Sequence, residues 1–167
     1  SSPEKSVIFL IAFFCCYVFI TEKWKGDNWK NNIQSDGAGY YAYLPAIFIH
    51  HDLQYNFQRD IQKKYYNSDT GAFYCNEIDG KKVNKYFGGV AFLLLPFFLI
   101  AYFLSWLTGY DLDGYSYLFQ CAVYVGALVY LIIGLNYLSK YLRVYFSERI
   151  TALTLILIFF GTNLYYY

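Results

Sequence analysis

The sequence predicts an all-α transmembrane fold, with about four membrane-spanning helices and a structured first loop of roughly 60 residues carrying an interfacial helix and a β-hairpin. Three observations lead there. Only 15% of the 167 residues are charged, against about 25% in an ordinary soluble domain, and 57% are hydrophobic. The apolar residues are gathered into blocks instead of being spread at amphipathic spacing. Aromatic residues reach 24%, with 21 Tyr and 16 Phe, a composition suited to many contacts at a membrane interface. The net charge of +1 lends no support to a nucleic-acid partner.

The first apolar block, Val7 to Ile20, is uninterrupted. At ~1.5 Å per residue it covers only about 21 Å. A bilayer core of about 30 Å needs more, so the expected helix fills residues 1–24, from near Glu4 to Trp24, with Lys5 and Lys23 snorkelling. A cleaved signal peptide is the rival reading, and the lack of a small-x-small site after the apolar run argues against it.

Residues 25–86 form the polar first loop. Tyr40 to Ile49 reads as a short helix lying in the interface, with Ser35 or Asp36 as its N-cap and Pro45 limiting its regularity. Phe73–Ile78 and Lys81–Asn84 flank Asp79-Gly80, a hairpin signal. Such a hairpin would deliver Asn84, Lys85 and Tyr86 to the mouth of the second span. The loop ends would then meet, with Asp36 near Lys85.

Residues 87–167 hold three further blocks. Phe87–Leu107 carries Pro96, which membrane helices tolerate when neighbours satisfy the freed carbonyl. Tyr117–Leu138 carries Gln120 and Asn136, with Gly126, Ala127 and Gly134 offering close helix approach. Ile150 to about Tyr166 carries Thr162 and Asn163, and polar groups at such depths are expected to face the interior. The chain contains no Met and stops at Tyr165-Tyr166-Tyr167 on an apolar block, so it is read as the N-terminal part of a longer membrane protein.

Alternation of the spans places the first loop and residues 139–149 on one side, and these, with Lys23 at the adjoining end of the first span, hold 12 of the 13 Lys and Arg. The positive-inside rule would put them in the cytoplasm, but a loop as long as the first translocates largely regardless of charge.

Asp36 is the candidate catalytic residue. A carboxylate at the bilayer edge, partly desolvated, can serve as a general base towards an acceptor hydroxyl or help hold a divalent cation; its plain alternative is helix capping. No metal site is assigned: there is no Cys-x-x-Cys, Cys15, Cys16 and Cys121 lie in apolar blocks, and Cys75 and His50-His51 stand apart. Asp111 and Asp113 have D-x-D spacing, yet beside Gly109 and Gly114 they read as turn residues on the membrane face opposite Asp36. A transporter is disfavoured, because the spans lack charged residues between their ends and no internal repeat is visible.

An acidic residue soon after the first span, followed by Tyr40-Tyr41-Ala42 and later by Asn84-Lys85-Tyr86 before the second span, resembles the GT-C class of membrane glycosyltransferases. The pattern is most similar to that of the protein O-mannosyltransferases and lipid A aminoarabinose transferases, with Gly161-Thr162-Asn163 closing a similar third-to-fourth helix region. Here Asp36-Gly37 stands where those families carry Asp-Glu, and prolines are missing after Lys85. The resemblance implies a multi-pass protein of the bacterial inner membrane with its first loop periplasmic. It implies sugar transfer from a polyprenyl-phosphate donor to an acceptor at the outer membrane–water interface. Asp36 would be the base, Lys85 would balance the donor phosphate, and Tyr40 and Tyr86 would line the substrate site. No cofactor is implied beyond a divalent cation, which stays open, as does a protein partner or protein acceptor. The alternative is a non-catalytic GT-C-like subunit or scaffold that binds a partner protein or lipid.

Overall fold

The computed structural model of the chain describes residues 8, 9, 12, 13 and 26–162. Most of the first predicted span, together with Asn163 and the tyrosines after it, lies outside the described residues. The protein is mainly helical, with one two-stranded sheet. It divides into two compact units, one of residues 24–126 and one of residues 1–23 with 127–167.

In the larger unit a 3-10 turn, Asn28–Asn31, leads into helices α1 (Ser35–Tyr41), α2 (Tyr43–Phe48) and α3 (Gln58–Tyr66). Strands β1 (Cys75–Ile78) and β2 (Lys81–Asn84) follow, then helix α4 (Gly89–Thr108) and the start of α5 (Tyr117–Tyr145). Helix α6 (Glu148–Gly161) completes the order. Two helices, α4 and α5, are long and apolar enough to cross a membrane.

Helices α1 and α2 form one nearly continuous rod that breaks at Ala42, because Pro45 has no N–H to return to the carbonyl of Tyr41. The N-cap is Gln34, extended at φ −141° and ψ 175°. Asp36 therefore lies inside the first turn, where a carboxylate complements the exposed N–H groups. The rod packs on protein along much of its length. Ala38, Tyr41, Ala42, Leu44, Pro45 and Ala46 are buried in protein, with only Ile47 and Phe48 left as exposed large apolar residues. The cause is a small-residue stripe: Ala38, Ala42 and Ala46 recur every fourth residue, which lets the rod approach another helix closely. Both halves pack on α4, whose own buried stripe is Ala91, Leu94, Phe98, Ala101 and Ser105. The rings of Tyr41 and Phe48 meet Phe98 at centroid distances of 6.1 and 6.0 Å.

The hairpin forms as expected. Its strands are antiparallel, pairing Cys75 with Asn84 and Ile78 with Lys81. Asp79 and Gly80 both take positive φ, 50° and 72°, as a two-residue primed turn requires.

Helix α4 runs 20 residues, about 30 Å. It ends at Gly109, whose left-handed φ of 77° lets its N–H reach the carbonyl of Ser105. Phe92, Leu93, Leu99, Ile100, Phe103, Trp106 and Leu107 are exposed on the side away from the packed stripe. Helix α5 starts at Tyr117 as predicted but continues past Leu138 to Tyr145, because polarity rises there while no Gly or Pro interrupts the backbone. Gly126 fulfils its close-approach role, since a Cβ there would sit 3.0 Å from Leu94 and from Phe97; Gly134 faces open space. Gln120 is buried and accepts the Ile33 N–H at 2.8 Å. Asn136, by contrast, is exposed and bonds the Ile132 carbonyl of its own helix.

The turn between α4 and α5 corrects the expected topology. Asp111 and Asp113 do not stand apart from the first loop, because Lys64 of α3 donates to Asp113 at 2.6 Å and pairs with Asp111 at 2.9 Å. The reason is the rod: running beside α4 instead of capping its start, it carries His50 and α3 to the turn. The His50 imidazole Nε2 lies 3.1 Å from the Asp113 carbonyl.

In the smaller unit, Leu135 of α5 packs with Leu155 and Phe159 of α6. Ser147, with extended backbone, starts α6 two residues before the predicted Ile150. The Phe13 ring meets Phe160 at 5.2 Å.

Candidate functional site

The four residues singled out in the sequence come together. Strand β2 ends at Asn84, and its alternation of side chains continues through the bend at Lys85 and Tyr86. Lys82, Asn84 and Tyr86 turn inward, while Lys81, Val83, Lys85 and Phe87 are exposed. The inward row reaches the N-terminal turn of α1. There the Tyr86 hydroxyl donates to Oδ1 of Asp36. The Tyr86 ring lies 4.8 Å from the Tyr40 ring, and the Lys85 ammonium sits 5.4 Å from the centroid of the same Tyr86 ring. Acceptance of its proton by Asp36, with burial second, holds the Tyr86 phenol above its ordinary range.

Residues that were not assigned to the site from the sequence fix this arrangement. Asn84 donates to the Gly39 carbonyl at 2.8 Å and accepts the Tyr86 N–H at 3.0 Å. Tyr43 donates to the Tyr86 carbonyl at 2.7 Å. Gly39 makes room for the Tyr86 ring: a Cβ there would lie 2.2 Å from Cδ2 and 2.7 Å from Cε2. Tyr55, buried beside Asn84 and held at a positive φ of 55°, has its phenol pushed up to about 12, chiefly by burial. The one available signal was Gly39 itself, four residues before Tyr43 on a helix of small residues.

Asp36 is exposed, so the partial desolvation expected of it would come from the membrane interface and not from burial in protein. Its chemistry is that of an open carboxylate with one oxygen oriented by a phenol, and among the described residues no group bonds its Oδ2. Among the described residues no cluster of three or more His, Cys, Asp or Glu could hold a metal, so a divalent cation at Asp36 would find one charged ligand there.

A second polar cluster surrounds Asp113. Oδ2 accepts from Lys64 and from the Tyr65 hydroxyl, both at 2.6 Å, and Oδ1 accepts the N–H groups of Tyr115 and Ser116 at 2.8 and 3.0 Å. Burial opposes charge on Lys64, but the carboxylates of Asp113 and Asp111 outweigh it and raise its pKa. Every bond of Asp113 is internal to the fold, which makes this cluster a clasp between α3 and the α4–α5 turn.

Comparison with protein-family models, with curated proteins and with solved structures finds no match for this chain.

Proposed function

We propose that the chain is a membrane-embedded glycosyltransferase, or part of one, that moves a sugar from a polyprenyl-phosphate donor to an acceptor at the membrane surface. One observation carries the proposal: Asp36, Tyr40, Lys85 and Tyr86, far apart in sequence, converge beside the start of the apolar helix α4. In this reading α5, the N-terminal segment and α6 cross the membrane, α4 is embedded with both of its ends on one side, and residues 25–86 with the α4–α5 turn they clasp belong to the periplasmic side of a bacterial inner membrane. An acceptor hydroxyl approaches Oδ2 of Asp36 and gives up its proton as it attacks the sugar carbon, while the phosphate leaves with its electron pair. Tyr86 fixes the other carboxylate oxygen. Lys85, which makes no ion pair among the described residues, offers its charge to the leaving phosphate.

The test is Asp36→Asn in the full-length protein, assayed in membranes with a polyprenyl-phosphate sugar. Loss of a general base costs about 10²–10⁴-fold in rate. Wild-type transfer by a folded Asp36→Asn protein would refute the assignment. The scaffold alternative draws on the exposure of Asp36 and is favoured if neither form transfers sugar while both bind a partner.

A further inference from the structure

The hairpin has a second face, of which the proposed chemistry uses only Lys85. Lys81, Val83, Lys85 and Phe87 all point away from the protein, alternating cation with apolar side chain, and Ile78 joins them across the ladder from Lys81. Val83 is 46% exposed, Ile78 55% and Phe87 87%. No packing within residues 24–126 explains so much exposed apolar surface on a short hairpin. The row also leads into α4, whose exposed large side chains from Val90 and Phe92 to Leu107 are aromatic or aliphatic.

We infer that this outward face of the hairpin is a docking surface for the headgroup layer of anionic phospholipids. Val83, Ile78 and Phe87 would enter the interface, where aromatic and aliphatic side chains partition favourably. Lys81 would meet lipid phosphates, with its stem along the neighbouring apolar residues, while Lys85 keeps its place beside the Tyr86 ring. Two features select this occupant. The charged groups on the face are both cationic, and the face is continuous with a helix surface suited to acyl chains. The inference rests on α4 lying in the bilayer and is independent of sugar transfer.

The test uses the full chain in lipid nanodiscs that contain no polyprenyl-phosphate donor, so that bulk lipid is the only phosphate source. Val83→Trp adds a reporter on the face, read as the difference from the parent chain, and Trp106→Phe isolates the native reporter on α4. Lipids brominated near the headgroup should quench the emission added by Val83→Trp, and more strongly in discs containing phosphatidylglycerol than in phosphatidylcholine alone. Adding Lys81→Gln should lower that anionic-lipid enhancement about fivefold, the effect of one lysine at the membrane surface. Raising the salt should weaken it too. If Trp106 is quenched by acyl-chain bromines while the reporter at position 83 is not quenched in any disc, the docking surface is refuted and α4 stays in the membrane. An unquenched Trp106 would refute the membrane placement beneath both this inference and the proposed function. Quenching at position 83 that ignores phosphatidylglycerol, Lys81 and salt would overturn the anionic specificity.

Discussion

Substituting Gly39 by Ala tests the geometry that holds Asp36. The added methyl would lie 2.2 Å from Cδ2 and 2.7 Å from Cε2 of Tyr86, and 3.0 Å from Cβ of Tyr74, well inside van der Waals contact. Tyr74 is fully buried and cannot give way. Tyr86 is only half-buried, but its peptide is pinned by Asn84 and Tyr43, so its ring must swing about χ1 and release Asp36. Overpacking of this kind costs about 1–3 kcal/mol. Alanine recovers about 1 kcal/mol over glycine in a helix interior, so Gly39→Ala should be destabilising by about 0–2 kcal/mol. The decisive measurement is a double-mutant cycle with Tyr86→Ala, following unfolding in mixed micelles. Once the ring is gone the methyl has space on that side and only helix propensity remains, so Gly39→Ala should turn neutral or stabilising. The coupling should be about 1–3 kcal/mol. Equal effects of Gly39→Ala with and without Tyr86 would refute the contact, and with it the claim that Gly39 seats the phenol on Asp36.

Contacts elsewhere in the larger unit set three more outcomes. Asp113→Ala removes an acceptor shared by four donors and should cost about 2–3 kcal/mol in the same unfolding assay, whereas Asp111→Ala, at an exposed position, should cost under about 1 kcal/mol. Cys75 and a thiol introduced by Asp111→Cys should both react with an impermeant maleimide from the same side of sealed vesicles, since Lys64 bridges from the first loop to this turn; labelling from opposite sides would break the packing of the rod along α4. The fold should lose stability as pH rises from about 10 towards 12, because Tyr55 keeps its proton up to about 12 when folded and releases it near 10 when unfolded. In that window the native state binds more protons, so alkalinity favours unfolding; a flat stability profile there would count against burial of the phenol.

The sequence was most legible where structure is local. Asp79-Gly80 dictated the hairpin because few residues besides Gly, Asn and Asp accept two successive positive φ values. The limits of α4 fell within two residues of expectation, since a charge-free apolar block bounded by glycines leaves little choice. The convergence of Asp36 with Lys85 and Tyr86 was also foreseeable, because a hairpin must return its second strand to the start of the next helix. What stayed hidden was the choice of long-range partners. Tyr40 to Ile49 is apolar enough for an interface, and nothing in its hydropathy separates lipid from the flank of α4; the alanine stripe does, through its spacing. Helix α3 went unpredicted because its exposed face is strongly charged and it buries only Gln58 and Ile61. Asp113 looked like any turn aspartate, and two of its four bonds depend on α3 arriving from some 50 residues earlier.

The alternation along Lys81–Phe87 makes chain length there a stricter requirement than composition. Because successive side chains point to opposite faces, deleting or inserting one residue between Gly80 and Tyr86 would exchange the two rows. Asn84 and Tyr86 would be carried to the outside, and the lysines would be driven against Gly39 and Asp36. Point substitutions on the outer row leave the inner one in place, so related chains can exchange Lys81 for another cation or Val83 for another apolar residue. None should differ in the number of residues that separates the turn from the helix.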